Sequence, residues 1–170
     1  MSARRWLPVL ALALAIPAAN AQPTPKQAPP TPKQAPPTPK QAPPPVTVSC
    51  DFLEITASSG AAPSVDPALV ALSKKFKKPP FSSWNVFKLD HKEQKALQQK
   101  KLETVMLKKG QVEAKLFGIV NKSQVRLSIA LTVSDKNIVN TTATFEGGDY
   151  LVYGHSLPNN DGHLLALTCK

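Results

Sequence analysis

Cysteine is scarce in this chain, with two in 170 residues. The two stand far apart, and without a close Cys-x-x-Cys spacing the common zinc ribbons and dithiol redox centres are excluded. Glycine is sparse too, with 7 residues, and none belongs to a loop of the kind that cradles a nucleotide phosphate. No serine or cysteine is framed by a nucleophile-elbow motif. Among the 11 acidic residues, nothing singles out two as a glycosidase acid and base. No apolar run is long enough to span a bilayer comfortably. These absences leave no catalytic signature and imply no cofactor and no bound metal.

What is present divides the chain into three parts. At the start, Arg4 and Arg5 precede the apolar run from Leu7 to Ala15, and Ala19-Asn20-Ala21 obeys the small-x-small rule. This pattern predicts a signal peptide over residues 1–21, cleaved before Gln22. The residues around Arg4-Arg5 fit a twin-arginine signal poorly, and no cysteine follows the cleavage site to carry a lipid. Next, Pro-Thr-Pro-Lys-Gln-Ala-Pro occurs three times, starting at Pro23, Pro30 and Pro37, and Pro44 and Pro45 extend it. Proline fixes φ and lacks an N–H donor, so residues 22–45 read as a disordered, semi-rigid polyproline II stalk. Fully extended, it would reach about 75 Å at roughly 3.1 Å per residue. Its one lysine per repeat could touch anionic wall polymer or phospholipid, although a plain solubilising spacer has the same composition.

Residues 46–170 have the texture of a folded domain. All 11 acidic residues and 16 of the 21 basic ones lie here, leaving a net +5. That modest excess, in an exported protein, argues against a nucleic-acid partner. Val46 to Phe52 alternates apolar and polar, and Leu53 and Ile55 make the opposite face apolar as well. Asp66-Pro67 has the chemistry of an N-cap and first helical residue, predicting a short helix to about Phe76 with Leu69, Leu72 and Phe76 buried. Trp84 to Leu89 opens a second strand region, while Lys92 to Lys101 is ambiguous between helix and strand. Thr104–Leu107 and Gln111–Val120 flank the Lys108-Lys109-Gly110 turn as a hairpin. Arg126–Ser134, Ile138–Phe145, Tyr150–Tyr153 and His163–Cys169 complete the set. The fold class expected is mainly β: an antiparallel sandwich or barrel of about 7–8 strands with one short helix.

Cys50 shares a strand face with Val48 and Phe52, and Cys169 shares one with Leu165 and Leu167. Both would point inward, and export favours pairing, so a Cys50–Cys169 disulfide is expected. The candidate contact surface for a ligand or partner is the basic-aromatic segment Lys74, Lys75, Lys77, Lys78, Phe81 and Trp84. Its competing explanation is cations stabilising a helix C-terminus, with the aromatics packed beneath. His155, Asp161 and His163 could form a metal cluster, but their spacing matches no ligand motif, and polar loop residues are the preferred explanation. Asn121-Lys122-Ser123 and Asn140-Thr141-Thr142 are formal glycosylation sequons, relevant only in a eukaryotic secretory route.

The most distinctive stretch, Pro79-Pro80-Phe81-Ser82-Ser83-Trp84-Asn85, resembles one found in an uncharacterised family of small exported bacterial envelope proteins. In that pattern Cys50 and Glu54-Ile55 precede it, and Gly148-Asp149 and Leu167-Thr168-Cys169 follow. The resemblance covers most of residues 46–170 and none of the stalk. It implies a bacterial envelope setting and carries over no activity and no catalytic residue. The resulting expectation is an exported protein, periplasmic or extracellular, with no transmembrane segment in its mature form. Its function would be that of a non-enzymatic module for protein–protein interaction or assembly, held out on a spacer. The alternatives are a binder of anionic polysaccharide or wall polymer and, second, an unrecognised hydrolase.

Overall fold

A computed structural model describes residues 44–170. The expected signal peptide and all but the last two residues of the expected stalk lie outside the described residues. Among the described residues, nine strands form two sheets. The first sheet has the order β2-β3-β1-β9-β8: β2 Ser64–Val65, β3 Val86–Gln98, β1 Thr47–Ser58, β9 Gly162–Cys169 and β8 Leu151–Ser156. The second has the order β4-β5-β6-β7: β4 Leu102–Met106, β5 Gly110–Val120, β6 Gln124–Val133 and β7 Lys136–Glu146. Every strand pair is antiparallel except the two-residue contact of β2 with β3. The architecture is thus the sandwich rather than the barrel.

Two apolar clusters explain the arrangement. Between the sheets, Val48, Cys50, Phe52, Leu165 and Leu167 of the first meet Leu116, Leu127, Ile129 and Leu131 of the second. On the outer face of the first sheet, Leu53, Ile55, Leu164 and Ala166 lie under Leu69, Leu72 and Phe76. Strands β1 and β9 are therefore covered on both sides, and every residue of β9 is buried. A continuous apolar run such as Leu164-Leu165-Ala166-Leu167 is what burial on both faces requires.

Three expectations are sharpened. The expected set of about 7–8 strands becomes nine among the described residues because Ser64–Val65 adds a short parallel edge. The ambiguous Lys92–Lys101 stretch is strand as far as Gln98, since pairing with β1 from Ser58 to Thr47 outweighs its helical composition. The segment after Asp66 is mostly 3-10: Pro67–Leu72 makes a 3-10 turn and only Ser73–Phe76, α1, is α-helical. Its cap is as expected, with Asp66 accepting from the Ala68 N–H at 2.9 Å and Leu69, Leu72 and Phe76 buried. Among the described residues, no helix is long and apolar enough to cross a membrane.

Cys50 and Cys169 form the expected disulfide, 119 residues apart in sequence. They lie directly opposite each other on β1 and β9. Ser49 and Lys170 beside them exchange both backbone hydrogen bonds, at 3.1 and 2.8 Å. The cysteines thus occupy the neighbouring non-hydrogen-bonded position, where antiparallel side chains come closest. Closing so long a loop restricts the unfolded chain strongly. Replacing both residues (Cys50→Ala with Cys169→Ala) is expected to lower the unfolding free energy by about 2–5 kcal/mol. Urea titration of the two proteins measures this, and equal midpoints would show that strand pairing alone holds the termini.

Candidate functional site

The basic-aromatic segment caps the outer face of the first sheet. Phe76, at the end of α1, stacks on Phe87 of β3 with ring centroids 4.0 Å apart and planes 2° from parallel. After α1 the backbone turns through Pro79-Pro80 into a 3-10 turn at Phe81–Ser83. The Phe81 and Ser82 N–H groups both bond to the Lys78 carbonyl, at 3.0 and 3.2 Å. This fold-back carries Phe81 and Trp84 onto β8 and β9, where two glycines admit them. A Cβ at Gly154 would stand 2.3 Å from the Leu164 side chain and 3.3 Å from the Phe81 ring, and one at Gly162 would stand 2.7 Å from Trp84. The Trp84 indole N–H donates to the Asn160 carbonyl at 2.7 Å. Asn85 exchanges two hydrogen bonds with the Gly60 backbone, at 2.7 and 2.8 Å.

The structure brings the six candidate contact residues to one surface but uses them differently. Trp84 and Phe81 are half-buried against the cap core. Lys75 pairs with Asp149 at 3.2 Å. Lys74, Lys77 and Lys78 are exposed, and none of them makes an ion pair among the described residues. Beside α1 opens a cleft of about 340 Å³ whose apolar walls come from Val65, Phe76, Trp84 and Phe87, with Lys77 at its edge. Across α1 a second hollow of about 320 Å³ lies between Lys78, Phe81 and Tyr150–Val152.

A second polar cluster escaped the sequence reading. Glu54 and His163 are fully buried between the sheets, and the His163 Nε2 lies 2.8 Å from Glu54 Oε1. The same carboxylate accepts the N–H groups of Lys108 and Lys109, at 2.6 and 2.9 Å, from the β4–β5 turn of the opposite sheet. Alongside, Asp90 sits at a bulge in β3 between the Glu54–His91 and Ile55–Leu89 pairs. The extra residue turns its carboxylate toward Thr56, which donates to it, and toward Lys109 Nζ at 2.9 Å. The phase argument that pairs the cysteines also pairs Glu54 with His163. Glu54 lies on the Cys50–Phe52 face and His163 on the Leu165–Leu167 face, so the signal was present.

Burial pushes the Glu54 carboxyl up, but hydrogen bonds from His163, Lys108 and Lys109 outweigh it and hold the group below its ordinary value. Burial likewise raises Asp90, and Thr56 and the Lys109 ammonium bring it below the usual carboxylate range. His155 stands edge-on to His163 with centroids 5.2 Å apart. Burial, with the neighbouring imidazole, pushes its pKa down. Asp161 accepts a hydrogen bond from the Asn159 amide rather than pairing with either histidine, so His155, Asp161 and His163 do not form one cluster. His155 and His163 are strand residues of β8 and β9, not loop residues. Among the described residues, no group of three or more His, Cys, Asp or Glu side chains is placed to hold a metal ion.

No family model, curated protein or solved structure matches the chain. The roles of these residues therefore rest on their geometry.

Two outcomes follow from that geometry. His155, Glu54 and Asp90 all titrate lower when folded, so the unfolded chain binds more protons and stability is lost as the pH is lowered. The loss should begin below the ordinary histidine value of 6.5 and deepen below 4.5 and 3.8. Glu54→Ala, which strands His163 and two N–H groups, is expected to cost about 3–5 kcal/mol at neutral pH and to flatten the acid limb. Urea midpoints measured across pH test both, and an unchanged acid limb in the variant would remove Glu54 from this role. Separately, Gly162→Val should expel the Trp84 indole. In a Trp6→Phe background, a red-shifted emission spectrum reports this, and an unshifted spectrum would contradict the socket.

Proposed function

We propose that this chain is an exported, non-enzymatic module that binds another envelope protein, with the cleft beside α1 receiving an apolar side chain of that partner. The observation that carries the proposal is the cleft's composition. Val65, Phe76, Trp84 and Phe87 form an apolar recess, and Lys77 stands free at its edge. Such a recess suits an aliphatic or aromatic side chain next to a carboxylate, the pattern of a buried anchor within a polar rim. The buried Glu54–His163 pair supports a non-enzymatic reading, because its full burial keeps substrate from it. Export and an envelope location rest on the signal-peptide pattern of residues 1–21.

The alternative is a binder of anionic polysaccharide or wall polymer. Lys74, Lys77 and Lys78 favour it, as exposed cations without ion-pair partners among the described residues. Against it, polysaccharide recognition by aromatics wants an open ring face, and Trp84 is seated against Gly162 and bonded to Asn160. A photo-reactive residue at Ser82, which is exposed and lines the cleft, tests the choice in intact envelopes. A discrete protein adduct that is lost in Lys77→Glu is expected. Absence of a protein adduct, together with salt-sensitive co-sedimentation with wall polymer that Lys74→Glu, Lys77→Glu and Lys78→Glu abolish, would overturn the protein reading in favour of the polymer.

A further inference from the structure

The free edges of the two sheets differ in chemistry. Strand β4 has five residues and is flanked by Lys100, Lys101, Lys108 and Lys109. The long strand β3 carries Lys88, Lys92 and Lys95, and β2 covers one end of it. Strand β8 has six residues, and the Phe81 ring closes over its Gly154. Strand β7 stands apart. It is an outermost strand of eleven residues, paired among the described residues with β6 alone. From Asn137 to Phe145 it contains neither proline nor charge. Proteins usually blunt such an edge with lysine, proline or shortness, because its unpaired row of N–H and C=O groups is a template for another strand.

The unpaired row can be located. Gly147 N–H bonds to the Ser123 carbonyl at 2.8 Å, which sets the phase of the β6–β7 ladder. Alternation then turns the N–H and C=O groups of Asn140, Thr142 and Thr144 away from β6, toward the free edge. Beside this edge, Ile138, Val139, Leu151 and Tyr153 are only partly buried where the two sheets meet.

We propose that β7 is a self-association edge, at which a second copy of this chain adds its own β7 antiparallel to make one continuous eight-stranded sheet. Self-complementarity favours a second copy as the occupant: Asn137 to Phe145 carries no charge, so two copies of a domain of net +5 can meet there without opposing like charges across the seam. A two-fold axis at Thr142 gives a register that places no charged residue among the pairs from Val139 to Phe145. Asn140 bonds to Thr144 of the second copy and Thr142 to its own counterpart, satisfying all three outward-facing residues on each side. On the inner face, Val139 meets the second copy's Phe145, an aromatic–β-branched pair, while Thr–Thr contact forms on the outer face at the axis. The regular ladder from Val139 to Glu146 lies beyond the β7 bulge at Ile138, so the backbone is straight where the pairing would occur.

The proposal is independent of the cleft and is tested on the full mature chain. Sedimentation velocity should show a dimer. Thr142→Pro removes an outward N–H that β6 does not use, so it should leave the melting transition near that of the unaltered protein and yield a monomer. Thr142→Lys should do the same by placing like charges at the axis. Thr142→Cys, the only free thiol while Cys50 and Cys169 remain bonded, should cross-link two chains under mild oxidation. A monomer for the unaltered protein at the highest soluble concentration would overturn the proposal. So would a dimer that survives both Thr142→Pro and Thr142→Lys.

Discussion

The pairing of β1 with β9 is the contact on which both apolar layers depend. Alternate residues of β1 serve different cores: Val48, Cys50 and Phe52 face the second sheet, while Leu53, Ile55 and Ala57 face the helical cap. Strand β9 does the same with Leu165 and Leu167 on one side and Leu164 and Ala166 on the other. Because both faces are apolar, hydrophobicity alone penalises a one-residue slip less than it would in a one-sided sheet. The register is set by specific groups instead. At one end the disulfide joins Cys50 to Cys169. At the other, Glu54 meets His163 and the two turn amides. A slip would carry Glu54 into the cap core and separate the cysteines.

These two locks act in different ways. The disulfide joins neighbouring strands within one sheet and works mainly by limiting the unfolded chain. Glu54 joins the two sheets, since its turn amides belong to the β4–β5 hairpin. A buried carboxylate is costly unless several donors meet it, and here three do. The cluster's stabilisation therefore depends on pH, whereas that of the disulfide depends on redox conditions.

Local pattern was enough where one face is buried and the other is wet. The alternation of Leu127, Ile129 and Leu131 with Arg126 and Ser128 identifies β6 without any partner in view, and the phase of Cys50 and Cys169 foretells their bond. Pattern fell short where the deciding contact is distant. The second half of β3 is rich in Lys, Gln and Glu and becomes strand through its pairing with β1. Two residues of β2 carry too little periodicity to register. The Glu54 cluster assembles groups more than fifty residues apart. Gly154 and Gly162 look like ordinary strand glycines until Phe81 and Trp84, some seventy residues earlier, are seen against them.

Distribution of charge separates the cleft beside α1 from the β7 edge. Lysines concentrate on the cap around α1 and at both ends of β4, and the apolar cleft opens beside one of them. Strand β7, in the other sheet, is neutral over its central residues and offers backbone groups instead of a recess. A partner in the cleft would be chosen by one buried side chain and its neighbouring charge. A strand on β7 would be chosen by register and by the absence of repulsion. The cap lies on the outer face of the first sheet and β7 is an edge of the second. The two surfaces share no residue, so occupation of one leaves the other chemically intact, and two copies joined at β7 would present two clefts.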